Sequence, residues 1–400
     1  MRAFLAATAL IISNIASASV RADLEGLYPE QSGSTLQTRI DHLESPKDFF
    51  RSFTPYFHLH LRRDLFQKPP WNQLGNETTW CLGDPHPENF GALLSEKGLA
   101  FYGPNDLDDA HPCPTAADLF RFLTGWRLWV GDGGSEELLA TYFQARRTGQ
   151  PLSTPLSVRS LLRESEWRGR APRRQWYHAE LGVLRRRSDV IPVPSPFDRE
   201  LAQTTLKVLE GKGRVIQVAE RLRLDGGSGG VKRFLALVQV QSGPLILEFK
   251  EVTRPAVFPW GMPLLDPFTR VQSAWDWTQK ETGTPYHRTV SLFGRPFFTR
   301  PLWDGHLDFD LDEMSGQQHR EIAHFQASLL GVLHRRSPIP SSGGNMALIP
   351  ARAWAQAADD LAIEITRAYN ELRGPISFIE GGQRSNNLRS SFSKNPYKGL

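Results

Sequence analysis

Between Trp80 and Ser95 the chain reads WCLGDPHPENFGALLS, and a second acidic stretch, NDLDDAHP, follows at residues 105–112. Asp84 and Asn89 stand five positions apart on a loop stiffened by Pro85 and Pro87. A carboxylate so placed suits facing a nucleophile, and an amide carbonyl suits facing a hard cation. His86 lies between them, either as a ligand or base, or as a ring that hydrogen-bonds the backbone and positions Asp84. Asp106, Asp108 and Asp109 crowd the second loop. Carboxylates brought together repel unless a cation neutralises them, and Mg²⁺ is the economical choice for such oxygen donors. Asx turns and helix caps are the competing use of the same residue types.

A third stretch, DGGSGG at residues 225–230, lies between two predicted strands. Gly226, Gly227, Ser228, Gly229 and Gly230 would bare backbone N–H groups to a phosphate, with Lys250 on the following strand as its cation. An ordinary glycine hairpin beside a solvent-facing lysine reads equally well. The P-loop pattern is absent, because no Gly-Lys-Ser/Thr precedes a helix here.

These loops need elements to hold them. Residues 45–66 carry Phe49, Phe53, Phe57, Leu61 and Phe66 near helical spacing, broken at Pro55, which predicts helix, break, helix. After the acidic loops a helix is predicted from about Thr115, with Thr115 as N-cap. Alternation at Phe234, Ala236, Val238 and Val240, then at Leu245, Leu247 and Phe249, predicts two strands joined by a tight turn. Lys250 shares the opposite face with Ile246 and Glu248. TRVQSAWDWTQKETG reads as helix, and two more helices follow at about 321–334 and 352–372. Residues 158–187 hold an arginine-rich segment with Trp167, Trp176 and Tyr177, a pattern of a solvated face more than of base stacking. VIPVPSP at 190–196 reads as a linker.

The chain has 400 residues, 40% of them hydrophobic, enough for a sizeable core in two or three units. A net charge of +4 demands neither a nucleic-acid nor a membrane partner. Met1-Arg2, the apolar Ala3–Ile12 and small residues at Ala16-Ser17-Ala18 or Val20-Arg21-Ala22 predict a secretion signal over residues 1–22, against the competing reading of a buried N-terminal helix. No later stretch is apolar for long enough to span a bilayer, so the expected product is exported, periplasmic or secreted. Cys81 and Cys113 are either a disulfide permitted by that compartment or two buried thiols.

GDPHPEN followed by NDLDDAHPCPTAADL resembles the catalytic and metal loops of aminoglycoside and choline phosphotransferases, relatives of protein kinases; Asp106 and Asp118 keep their twelve-residue separation. More closely, SPKDFFRS, GDPHPENFG, NDLDDAHP, GGSGGVKRF, LILEFKE, FFTRPL and LLGVLHRRS resemble the bacterial domain-of-unknown-function family numbered 2252. The resemblance implies an α+β, protein-kinase-like two-lobe fold. It implies Asp84 as the group that orients or deprotonates an acceptor hydroxyl, with Asn89 and Asp106 as Mg²⁺ ligands. Asp108 is counted with them on the charge argument above. Residues 226–230 would cover the phosphates of ATP or another nucleotide, and Lys250 would hold the α/β-phosphates.

Because the catalytic and metal loops precede the glycine loop, the expected fold is circularly permuted. Residues 23–196 would form the large lobe with both loops, 197–302 the small nucleotide lobe, 303–375 the returning large-lobe helices and 376–400 a flexible tail. No glutamate opens the helix after Lys250 to pair with it; Ser273 and Asp276 stand there, with Glu281 further on. The expected function is a Mg²⁺-dependent phosphotransferase or nucleotidyltransferase acting on a hydroxyl-bearing small molecule. A non-catalytic, exported pseudokinase-like binding protein is the alternative, and a metal-dependent phosphoesterase built on Asp84-Pro85-His86 the third reading.

Overall fold

A computed structural model describes residues 19–95, 97–131, 134–223, 229–279, 286–339 and 346–373. Most of the predicted signal and the predicted tail lie outside these residues. Helix α1 (Val20–Leu27) begins at a Ser19 cap, followed by α2 (Gly33–Asp41), α3 (Pro46–Ser52) and α4 (Thr54–His60), which continues as a π-helical turn over Leu61–Leu65. Ser19, Ser32 and Ser45 each accept a backbone N–H of the first turn, answering one of its orphan donors. The predicted break falls at Phe53 and not at Pro55, which sits in the first turn of α4, where a missing N–H costs nothing. Val20 and Leu24 are buried, and the Val20 N–H donates to Glu371 Oε1 at 2.8 Å. A cut after Ala18 would leave α1 whole, whereas a cut after Ala22 would remove its first turn.

The acidic loops hang on short strands: β1 (Thr78–Cys81), β2 (Phe90–Leu94), β3 (Ala100–Pro104) and β4 (His111–Pro114), paired antiparallel as β1 with β4 and β2 with β3. Helix α5 (Thr115–Val130) follows at once. Pro114 occupies its cap position, and the Thr115 hydroxyl, predicted as the cap, donates instead to the Glu77 carbonyl at 2.9 Å. Next come α6 (Ser135–Thr148), α7 (Leu156–Arg168), the minimal pair β5 (Tyr177–His178) and β6 (Val183–Leu184), β7 (Val190–Pro192) and α8 (Phe197–Val208). Strands β8 (Arg214–Arg221), β9 (Arg233–Val240) and β10 (Gly243–Glu251) precede α9 (Pro267–Gln279), β11 (Arg288–Leu292) and β12 (Arg295–Pro301). Helices α10 (Gly316–Arg335) and α11 (Ala351–Arg373) complete the described chain.

Strands β11-β12-β10-β9-β8-β7 form one antiparallel sheet in that order. The predicted linker supplies its edge strand β7, and an edge tolerates Pro192 because that residue has no N–H to pair. Alternation on β9 and β10 gives the sheet two apolar faces. Phe234, Ala236, Val238, Leu245, Leu247 and Phe249 pack with Leu201 and Val208 of α8, while Leu235, Leu237 and Ile246 pack with Trp176 and Leu184. Towards the end of β10 the second face turns from apolar to charged, at Glu248 and Lys250.

The helical core gathers α3, α5, α6, α10 and α11 around fully buried aromatic side chains. Trp354 meets Trp71 edge-on at 5.0 Å and Phe120 at 4.6 Å. Truncating an aromatic side chain in such a site costs roughly 3–5 kcal/mol, so this cluster is a firm base for α5 and the loops before it.

Candidate functional site

The loop after β1 is fixed by groups far away in sequence. Asp118 of α5, fully buried, accepts the Leu82 N–H at 2.6 Å and the Gly83 N–H at 2.8 Å, and His334 Nε2 lies 3.1 Å from the same carboxylate. The Trp260 indole donates to His58 Nδ1 at 3.2 Å, which leaves the proton on Nε2 to be donated to the Gly83 carbonyl at 2.7 Å. Burial, against the pull of that carbonyl, lowers the His58 ring to about 4, so it is neutral at pH 7. Gly83 has φ +80°, and any side chain there would run into the Asp109 carbonyl. The two acidic loops thus touch through a glycine that no other residue can replace without strain. The Cys81–Cys113 disulfide ties β1 to β4, the strand entering the first loop to the strand leaving the second. Asp118 lies beside these sulfurs, but bridged sulfurs offer a metal no thiolate.

Asp84 points into this anchored layer. Its Oδ1 accepts from Arg121 Nε at 2.8 Å, its Oδ2 accepts from the Thr54 hydroxyl at 3.2 Å, and His86 Nε2 stands 3.7 Å away. Arg121 is fully buried, lies 3.4 Å over the Phe50 ring and donates to the Phe50 carbonyl at 2.7 Å. Burial alone would raise the Asp84 carboxyl; the Arg121 guanidinium outweighs it and holds it below its ordinary value. His86 Nδ1 accepts the Glu88 N–H at 3.3 Å, so its Nε2–H faces Asp84, and burial lowers the ring to about 3. The neutral His86 ring stacks near Trp129.

The second loop meets Lys250. Its ammonium lies 2.9 and 3.1 Å from the two carboxylate oxygens of Asp106, and it also contacts Asp108. Burial would raise the Asp106 carboxyl, but Lys250 and Arg300 hold it well below the carboxylate range; burial and the neighbouring Asp106 raise Asp108 in spite of Lys250. Asn89 donates its amide N–H to the Asp84 carbonyl at 2.9 Å, which leaves its carbonyl oxygen as the atom on offer. Arg270, buried, donates to the Asp108, Ala110 and Thr253 carbonyls and pins the back of the loop. Two residues before Lys250, fully buried Glu248 is shared by Arg221 at 2.6 Å, Arg233 at 3.1 Å and Arg300 at 2.8 Å. Burial opposes its ionisation, and the three guanidiniums hold it well below the usual value.

Asn89, Asp106, Asp108 and Lys250 line one cavity of about 240 Å³. Its wall continues through Glu88, Asn105 and Asp308, the cations Arg51, Arg173, Arg221, Arg223 and Arg300, and the rings of Trp176, Trp275, His287 and His306. The loop motifs mark four of these residues, and no motif marks the arginines. Arg173 and Trp176 belong to the arginine-rich segment read as a solvated face. Glu248 and Arg300 carried a detectable signal, since each is a charge set in an apolar run, LILEF and PFFTRPL. Asp84 and His86 do not line the cavity; they lie in the anchored layer next to it. Of the glycine loop, Gly226, Gly227 and Ser228 lie outside the described residues, as does Glu281. Gly229 is buried, and the Gly230 N–H donates to the Arg223 carbonyl at 2.8 Å. Ser273 and Asp276 of α9 face a separate surface with Trp277, so among the described residues it is the Asp106 loop that pairs with Lys250.

No helix among the described residues is long and apolar enough to cross a membrane. No curated protein and no solved structure matches the chain. The model of DUF2252, a family described as an uncharacterized protein conserved in bacteria, matches residues 34–135 and 163–370, which include every residue of the Lys250 cavity, and the chain belongs to that family.

Proposed function

We propose that this protein is a kinase-like, Mg²⁺-dependent phosphotransferase whose phosphate donor enters the cavity between Lys250 and the Asp106 loop. The observation that carries the reading is the contact of Lys250 with Asp106 and Asp108. Counted from the strand before the glycine turn, Lys250 stands on the third strand, and α9 follows it, as the ATP-site lysine and its helix do in protein kinases. Chain order supports a permuted arrangement, with the catalytic loops first and α10 and α11 returning to pack on α5 and α6.

Phosphoryl transfer asks a protein mainly for positioning and fixed charge. Asn89, Asp106 and Asp108 offer only hard oxygen donors beside the cavity, a set that fits Mg²⁺. When bound there, the ion would neutralise phosphate oxygens and align the donor. Lys250 would exchange its carboxylate partners for a phosphate oxygen, and the arginine wall would take the remaining charge. Held ionised by Arg121, Asp84 orients an acceptor hydroxyl. The acceptor O–P bond forms as the donor's P–O bond breaks, the electron pair leaves with the departing phosphate, and the hydroxyl proton is taken up by that phosphate. An apolar signal-like start at residues 3–12 and the Cys81–Cys113 bridge support an exported protein.

Asp84 also favours a second reading. A carboxylate committed to a buried arginine and absent from the cavity wall suits a protein that binds phosphate without turnover. Titration calorimetry with phosphorylated ligands, with and without Mg²⁺, followed by transfer assays on an acceptor panel, separates the two. Binding lost in Asp106→Ala, with turnover lost in Asp84→Asn, supports the enzyme. Binding without turnover supports the second reading, and absence of any phosphate binding removes both.

A further inference from the structure

We infer that the ligand of this cavity is a condensed phosphate, a diphosphate or triphosphate that carries no nucleobase. The inference rests on the phosphate-binding reading above and narrows it. Six cationic side chains line the cavity, Arg51, Arg173, Arg221, Arg223, Lys250 and Arg300, against four carboxylates, Glu88, Asp106, Asp108 and Asp308. Two of those carboxylates are the ones a divalent cation would take, which leaves the wall with a clear surplus of positive charge for an anion of high charge density.

Among the described residues, the cavity leaves little room for a base. Nucleotide and drug-sized sites occupy about 300–1,000 Å³ and are mostly apolar. This one measures about 240 Å³. Its apolar lining residues Leu93, Leu107, Trp176, Trp275, Phe298 and Leu302 are each at most 7% exposed, so water meets charged side chains. Neither indole stands open for stacking. The guanidiniums of Arg187 and Arg221 lie over Trp176 at 4.6 and 4.3 Å, and His287 stacks on Trp275 at 3.7 Å. A base extending from phosphates at Lys250 along β10 would meet Glu248 and its arginines, which are ion-paired and buried. In the other direction Val252 belongs to the helical core.

Calorimetric titration of the full chain with pyrophosphate, tripolyphosphate, ATP and adenosine at equal free Mg²⁺ tests this. Pyrophosphate or tripolyphosphate should bind at least about tenfold more tightly than ATP, and adenosine should not bind. Arg173→Gln and Arg51→Gln, each checked by its melting curve, should each weaken tripolyphosphate binding by about tenfold. An alkyl diphosphate that binds more tightly than pyrophosphate assigns the condensed phosphate to an esterified source; weaker binding assigns it to the free anion. ATP binding as tightly as tripolyphosphate, or more so, overturns the inference and leaves the proposed function standing. If none of the phosphates binds, the proposed function itself fails.

Discussion

Asp84 and Asp106 are both carboxylates paired with a buried cation, yet Asp84 keeps 9% of its side chain exposed and Asp106 32%. Around Asp84 the carboxylate is answered by Arg121, Thr54 and the facing His86, and Arg121 itself is held by the Phe50 ring and carbonyl. Around Asp106 a single ammonium serves two carboxylates at the wall of a cavity. The same residue types therefore do different things. The closed cluster fixes the shape of the first loop, and the open one sets its paired charges on the wall of a cavity. Ion pairing in a dry layer makes a cluster expensive to disturb, whereas shared pairing next to water makes it cheap to rearrange.

Breaking the closed cluster should have the largest effect. Arg121→Ala leaves Asp84 buried without its cation and is expected to cost about 3–5 kcal/mol in urea unfolding. A cost under about 1 kcal/mol would mean that Asp84 reaches water and that the contrast with Asp106 is unfounded. Next in size is the bridge that ties the two loops. Cys81 and Cys113 are 32 positions apart, and loss of that cross-link in Cys81→Ser/Cys113→Ser should lower stability by about 3–4 kcal/mol by the chain-entropy relation.

A pH profile sharpens the same comparison. His58, facing Arg121, Asp118 and Asp84, is lowered from 6.5 to about 4 on folding, so the unfolded chain binds more protons between those values. Its contribution is fully present above about pH 6.5 and is lost as the pH falls towards 4, by about 3 kcal/mol in all. Replacing it in His58→Gln should flatten that part of the stability–pH curve relative to wild type. An unchanged slope would show that the ring takes up its proton without leaving the closed layer. The smallest effect belongs to the open cluster. Asp106→Asn should change stability by no more than about 1 kcal/mol, because Lys250 retains Asp108 and the pair is partly hydrated.

Much of the frame was legible in the residues. Period-two alternation on β9 and β10 put Lys250 and Glu248 on one face, and the structure keeps them there. Helices near 321–334 and 352–372 appear as α10 and α11, because their apolar stripes are long and regular. Loop motifs marked Asn89, Asp106, Asp108 and Lys250, which meet in one cavity. Pairing between distant charges was not legible. Nothing local says that Arg121, inside the apolar LFRFL run, answers Asp84, or that three arginines from three strands share Glu248. Such partners are chosen by tertiary packing, and a run of apolar residues interrupted by one charge is the sign that a buried partner exists. The edge strand β7 was hidden by its prolines, which an edge position admits.

As proposed above, the open cluster would exchange its ion pairs for a phosphate ligand and a divalent cation. Calorimetric titration of the protein with tripolyphosphate, with and without Mg²⁺, in wild type, Lys250→Ala and Asp106→Ala tests it most directly. Mg²⁺-dependent binding in wild type, lost in both variants while their melting curves stay cooperative, is the predicted result. Equal binding in all three proteins, or none in wild type, would contradict it.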